Sequence, residues 1–515
     1  MEEITVSNGE SESASSVSSQ RAVVTLASGS LIGLSGRLFG RFFLLLYQVL
    51  LASWLGSEQY GLFSLGWTAL QLSLYMGPVG IQNAVIRFAT PFWKKDQAAF
   101  RRVLQQSLGL AILGSLFSGG LLFLVSPFLA LFFRKPELQI VWQGVAIALF
   151  FSGVLRVLTA MTRVTAQVGY SVWLEDILLP LSMAVLAFLL MGVWKGGLIG
   201  ALLSAVGGYL LMVVAAVFVV SSLFPGMFTP ISWERRLFRS LAAFSMPSSM
   251  AALFTLLIQW FPRLILGYFR PATEVGLYQA AFQIASLPAL VLAATGPVFT
   301  PLIARLIQEK AFQEANEIYR ITTKWTLYAG IPLVITMAFF AGETLQLFFG
   351  KEYVKAAPLL WLLLIAQLIN MATGGVIPLH LMGGHQKRIS YIAALSFGMT
   401  FLLSVVWTYW WGLLGAAMAT AFGIVALNLI GLFSIRQLGG YWPFDARSWK
   451  GGLASLIVLL VTFAVRNIFP GVPLTVFVSL ILNFVLFIAV QVIGGLDIEE
   501  RYLLEKIRKR LGFQQ

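Results

Sequence analysis

Uncharged runs of about twenty apolar residues recur along nearly the whole of this chain, and that recurrence limits its fold more than any other feature. Each run is long enough to cross a hydrocarbon layer of about 30 Å as a helix. Backbone in lipid must satisfy its own hydrogen bonds, so only helices and closed barrels can span. The runs are continuous rather than alternating apolar and polar every second residue, which excludes an outer-membrane barrel. Composition agrees: 58% of the 515 residues are hydrophobic, 11% are charged, and mean hydropathy is +0.85. A soluble chain of this length would carry far more charge. The expected fold class is all-α, a polytopic membrane protein with about fourteen transmembrane helices.

Polar, Pro and Gly breaks divide the runs into spans at about 23–53, 61–88, 103–131, 139–165, 171–193, 198–223, 240–269, 276–300, 321–341, 357–382, 389–410, 413–435, 450–468 and 474–494. An even number puts both ends on one side. With those ends in the cytosol, 23 of the 35 basic residues fall in inward segments, against six outward: Arg134, Lys135, Lys195, Arg270, Lys351 and Lys355. That asymmetry sets the orientation by the positive-inside rule and predicts a multi-pass protein of the cytoplasmic membrane with both termini cytosolic. The net charge of +14 therefore reports sidedness, not a nucleic-acid partner. Trp54, Tyr60, Trp194, Trp407, Trp410, Trp411, Tyr441 and Trp442 gather at span ends, as an interfacial belt requires. The Ser-rich, acidic stretch 1–22 reads as a disordered cytosolic tail, and 495–515 as a basic cytosolic tail.

The loops are short, so no extramembrane catalytic domain fits and the chain is not expected to be an enzyme. Cysteine is absent, which removes thiolate metal sites and cysteine nucleophiles; His380 and His385 alone make no metal site, and no GxxxxGK[ST] sequence is present. No cofactor or metal is expected.

An internal repeat has an offset of about 215 residues. Gly61-Leu62-Phe63 aligns with Gly276-Leu277-Tyr278, and Lys95 with Lys310. Both copies begin on the same side, so the repeat is parallel, as in two six-helix lobes that flank a central cavity. The predicted lobes are 23–223 (spans 1–6) and 240–435 (spans 7–12), with 450–494 as two added spans.

The chemistry-bearing residues are arginines inside spans. Arg37 and Arg41 are four apart, share a helix face, and lie near the middle of a long first span. At about 1.5 Å per residue, Arg41 is some 20 Å from either end, too far to snorkel comfortably. A guanidinium there needs an anion, a wet cavity or a structural partner, and the nearest acids by span are Glu175 and Asp176. Arg156 and Arg163 share a face of span four, Arg163 close to the cytosol and Arg156 deeper, either as a cavity ligand or as an anchor. Arg263, with Gln259 one turn before it, lies in a span holding Pro247 and Pro262, two prolines that predict a kinked or hinged helix. Arg87 closes span two and Arg466 reads as an outer-edge anchor. Asn83, Gln367, Asn370, Asn428 and Asn483 either line a cavity or hydrogen-bond neighbouring helices.

Several segments carry a resemblance. LGSEQYGLFSL (Leu55 to Leu65), AVIRFAT (Ala84 to Thr90), PRLILGYF followed by EVGLYQAAFQIASLP (Pro262 to Pro288), GKEYVKAAPLLWLL (Gly350 to Leu363) and GLLGAAMATAFG (Gly412 to Gly423) resemble polysaccharide-transport flippases of the multidrug/oligosaccharidyl-lipid/polysaccharide exporter superfamily. The resemblance covers nearly the whole chain. It implies a two-lobed, fourteen-helix transporter that moves polyprenyl-pyrophosphate-linked oligosaccharide to the outer leaflet, in the company of membrane lipids and polysaccharide-assembly proteins. Relatives often read Asp-Arg where this chain has Pro262-Arg263, so an ion-coupling acid at that place does not carry over.

Deep arginines suit a phosphate or pyrophosphate, which guanidinium binds bidentately. The expected site is Arg37 and Arg41 on the phosphate, assisted by Arg156, Arg263, Arg87 and Gln259, with the Pro247/Pro262 helix bending as the lobes rock. Three rivals share parts of this pattern: a multidrug exporter, which would be expected to hold a buried mid-span carboxylate; a peptidoglycan-precursor flippase; and a membrane glycosyltransferase or polymerase, which would need a larger outward or acidic loop.

Overall fold

The computed structural model describes residues 6–76, 80–165, 168–229, 234–245, 250–445, 448–469, 474–495 and Glu500, with side chains from Gly36 onward apart from Arg37 and a few residues at segment edges. Every regular element among them is helical, so the protein is all-α and polytopic. Eleven helices are long and apolar enough to cross a membrane, or up to twelve if Phe312–Phe339 and Ala341–Phe349, which meet at 88°, form one broken span. The expected fourteen is not confirmed by that count.

Two glycines account for much of the difference. The first helix, Val6–Met76, runs through Gly56, whose φ of 67° and ψ of 173° are not helical. In a straight helix Tyr47 and Trp67 would stand about 30 Å apart. Their rings are 6.3 Å apart, and the Tyr60 hydroxyl donates to Gln48 Oε1 at 2.9 Å. The chain therefore reverses at Gly56, making an antiparallel pair out of one uninterrupted apolar run. Gln386–Gly439 breaks likewise at Gly412 (φ 55°, ψ −126°), and the turn brings Gly415 so close to Trp407 that a Cβ there would lie 1.9 Å from the Trp407 carbonyl oxygen. The backbone is helical from Val6, within the stretch 1–22 read from sequence as a tail.

The chain packs as two compact units: one of Met1–Gln279, Gly296–Leu302 and Gln386–Ala416, the other of Ala280–Thr295, Ile303–His385 and Ala417–Gln515. The lobes expected from the repeat, 23–223 and 240–435, are contiguous in sequence, whereas these units are not.

In the first unit Leu138–Val164 is the central helix, with 18 of its 27 residues buried, while Gln97–Phe132 has 10 of 36 buried and turns Phe117, Leu124, Phe128 and Leu131 outward as an apolar wall. Asp96 caps that outer helix by accepting from the Ala98 and Ala99 amides at 3.0 and 2.9 Å. At its far end Lys135 donates to the Gly267 carbonyl, and burial pushes its ammonium below the ordinary lysine value. The repeat reappears as geometry. A Cβ on Gly61 would lie 1.8 Å from the Ala272 carbonyl oxygen, and one on Gly276 would lie 2.0 Å from that of Ser57. Ser57 and Ala272 are related by the same offset as Gly61 and Gly276, so the two copies meet reciprocally at helix starts that only glycine lets approach so closely.

In the second unit the two added helices, Ser448–Ile468 and Thr475–Ile493, pack on Phe312–Phe339. Ala454, Val458 and Phe487 form the apolar contact with Tyr328, and Asn483 donates to Thr336 Oγ1 at 2.8 Å while accepting from Thr462 Oγ1 at 3.0 Å. Asn428 accepts from Thr373 Oγ1 at 3.1 Å, and His380 is buried between the Val376 carbonyl and Ser434 Oγ. Asn428 and Asn483 thus tie helices together, one of the two uses open to them.

Candidate functional site: an arginine cluster beside a widened helix

The candidate site is built in the first unit around an irregular helix. Residues Val172–Leu178 are π-helical and lead into Leu179–Ala187, which has Pro180 in its first turn. Proline lacks the N–H that would bond back to the Asp176 carbonyl, and a widened turn accommodates the missing bond. The Asp176 carbonyl is met by the first helix: a Cβ on Gly40 would lie 1.6 Å from its oxygen, and one on Gly36 would lie 2.1 Å from Val172 Cγ1. Gly36 and Gly40 are a small-xxx-small pair, which brings the two backbones together and sets Arg41 beside the widened turn. Tyr47 Oη and Ser204 Oγ, 3.2 Å apart, tie the same helix to Gly197–Leu223.

On that turn Glu175 takes Arg163 Nη2 at 3.0 Å, from the last turn of Leu138–Val164. Arg156, two turns deeper on that helix and half-buried, lies within electrostatic range of both Glu175 and the Tyr209 hydroxyl. Arg41 is exposed on the protein surface. Arg163 thus pairs with Glu175 and Arg156 acts on the same acid, while Arg41 follows the glycine that meets the Asp176 backbone. Chemically this is a partly buried polar patch on an apolar bundle, able to receive an anion through guanidinium N–H groups.

The other expected residues are dispersed. The side chain of Arg37, like Pro247, lies outside the described residues. Arg87 is exposed, with its guanidinium 4.4 Å over the Phe244 ring. Pro262 sits inside the continuous helix Met250–Phe269, and Gln259 is half-buried there. Arg263 is 0% exposed. Its guanidinium stacks 4.6 Å over Trp260 and 5.4 Å over Tyr278, and Nη1 donates to Thr68 Oγ1 at 3.3 Å. Arg263 is thus packed between rings, and none of these contacts joins it to Arg156 or Arg163.

Sequence reasoning treated Glu175 and Asp176 only as scarce partners, and it did not register Gly36-Gly40, Pro180 or Tyr209. The GxxxG pair and the proline following two acids were the available signals. Lys324, one of the basic residues on the inward side, is 8% exposed within Phe312–Phe339 and pairs with Glu500 at 3.2 Å.

Comparison of the fold finds the same architecture in two solved proteins. It superposes on the lipid II flippase MurJ in its inward closed conformation with a TM-score of 0.71 at 14% identity, covering 90% of this chain and 98% of that one. An inward-facing multidrug resistance MATE family transporter of the MOP superfamily gives a TM-score of 0.61 at 18% identity, covering 80% and 98%. The profile of the polysaccharide biosynthesis protein family matches residues 50–358, and the chain belongs to that family. Among characterised sequences it is similar to the lipid II flippase MurJ of Bacillus subtilis, 22% identical over 86% of this chain and 87% of that protein. It is also similar to the probable low-salt glycan biosynthesis flippase Agl15 of Haloferax volcanii, 23% identical over 37% and 40%, and to an uncharacterized membrane protein of Methanocaldococcus jannaschii, 24% identical over 59% and 61%. The matches to the two archaeal proteins span less than two thirds of their lengths.

Proposed function

We propose that this protein is a flippase that carries polyprenyl-phosphate- or pyrophosphate-linked oligosaccharide across the cytoplasmic membrane, for cell-surface polysaccharide biosynthesis. The observation that carries the reading is the half-buried pair Arg156 and Arg163 in an apolar bundle, with the exposed Arg41 on the helix packed against the same widened turn, in a chain of the polysaccharide biosynthesis family. Arg41 and Arg37 take the phosphate and Arg156 assists, while Arg163 is held in reserve by Glu175. Arg263 positions helices rather than touching the lipid head. The lipid tail stays in the bilayer as the head crosses by alternating access, and both termini face the cytosol. No step makes or breaks a covalent bond, so the protein acts as a transporter rather than an enzyme.

A second reading, flipping of the peptidoglycan lipid precursor, draws support from the long alignment with MurJ. Competition separates the two. In proteoliposomes scored for leaflet exposure of a fluorescent polyprenyl-pyrophosphate oligosaccharide, unlabelled oligosaccharide lipid should slow exposure and lipid II should do so weakly. Stronger competition by lipid II would transfer the function to the second reading, and export of a cationic dye without lipid movement would sink both.

A further inference from the structure

A cavity of about 430 Å³ opens in the second unit, where Phe312–Phe339 turns by 88° into Ala341–Phe349. That size is within the range of about 300–1,000 Å³ usual for small-molecule sites. The bend, the tight turn Lys351–Ala356 and Pro358 at the start of Ala357–Thr373 form its walls, and Arg466 from Ser448–Ile468 closes it. This is the GKEYVKAAPLLW stretch of the sequence, which the flipping mechanism leaves without a role.

The lining has a particular chemistry. Trp361 is 51% exposed, and its indole N–H donates to the Ala338 carbonyl, which fixes the ring by its edge. Arg466 Nη1 donates to the Phe339 carbonyl at the bend, which fixes the guanidinium. Glu343 and Gln346 lie one turn apart on the short helix, and Glu343 lines the same cavity as Arg466 without an ion pair joining them. Val354 and Pro358 supply apolar surface. The lining thus offers an aromatic ring, an acceptor-only carboxylate, an amide that both donates and accepts, and a donor-only guanidinium. A lipid tail needs none of the three polar groups. Glu343 repels a bare phosphate and Arg466 repels a cation. A pyranose satisfies all of them, with an apolar C–H face for the ring and hydroxyls for the rest.

We propose that this cavity is a sugar-binding subsite for one pyranoside unit of the transported glycan, on the outward side where Lys351 and Lys355 were placed. The proposal rests on the reading of the chain as a glycolipid flippase. Trp361 carries the sugar's apolar face, Glu343 and Gln346 take its hydroxyls, and Arg466 adds a donor or meets a sugar carboxylate.

The absence of cysteine gives a direct test. In the purified full chain carrying Gln346→Cys as its single thiol, the rate of maleimide labelling is measured with methyl glucopyranoside, galactose, N-acetylglucosamine and glucuronate, each up to about 100 mM, well above the millimolar range of weak sites. At least one sugar should slow labelling by about threefold or more, should leave Leu347→Cys on the neighbouring exposed position unaffected, and should lose its effect when Glu343→Gln is added. Failure of every sugar to protect, equal protection of both thiols, or protection that survives Glu343→Gln overturns the subsite. The lipid assay is read separately. Flipping without protection removes the subsite alone, whereas protection without flipping keeps the subsite and removes the flippase reading.

Discussion

Arg163 and Arg263 belong to the same packed unit and carry the same charge, yet their surroundings are opposite in kind. Arg163 keeps 30% of its side chain exposed and meets a carboxylate, Glu175, that is itself 24% exposed. Arg263 has no exposed surface and is held by two aromatic rings and one hydroxyl. A carboxylate partner at a partly open site can exchange for another anion at little cost, because water and the incoming group replace what is lost. A guanidinium stacked between rings has no such exchange, since withdrawing it would leave a cavity and an unmade cation–π contact. The pair therefore separates a charge kept available for a ligand from a charge used to fix helices.

The comparison is most exposed to Arg263→Ala. That change should cost about 3 kcal/mol or more, by cavity formation and lost cation–π contact, and should appear as a lower yield of monodisperse protein and a lower unfolding temperature in detergent. An Arg263→Ala variant as stable as the native protein would mean the cage is not structural. Arg156→Ala should do the reverse: lipid exposure falls by about tenfold, equivalent to about 1.4 kcal/mol, with unfolding temperature held within a few degrees. Glu175→Gln should release Arg163 and tighten binding of polyprenyl pyrophosphate by a few fold, measured by equilibrium binding in detergent; weaker binding would show that the acid supports the head group rather than competing with it. The smallest effect is the stability of the ion pair itself. A double-mutant cycle with Arg163→Met and Glu175→Gln should give a coupling below about 1 kcal/mol, and a value of several kcal/mol would make the pair structural like the cage.

The sequence conveyed the fold class well because it is written locally. Apolar runs declare helices, and Gly61 and Gly276, 215 positions apart, meet reciprocally as that offset requires. Substituting either should be severe, since the atom a new Cβ would strike is backbone. The reversal at Gly56 was also visible as a break between spans. The setting of each arginine was not. Trp260 is three residues from Arg263, but Tyr278 and Thr68 come from elsewhere in the chain, so periodicity held no sign of the enclosure. In the cluster, Pro180 explains the widened turn only once the Gly40 contact with the Asp176 carbonyl is known. The burial of Lys324 was hidden for a similar reason: its neighbours Arg320 and Glu317 look like a solvent-facing stretch, yet the same helix carries Lys324 to Glu500.

Reception of the head group by Arg41 and Arg156 is read from leaflet exposure of a fluorescent polyprenyl-pyrophosphate oligosaccharide in proteoliposomes. The native protein and a Tyr278→Leu cage variant should expose the lipid at similar rates once matched for folded protein, while Arg41→Ala and Arg156→Ala should fall by about tenfold each. Full activity in both arginine variants, or loss confined to the cage variant, would contradict the account.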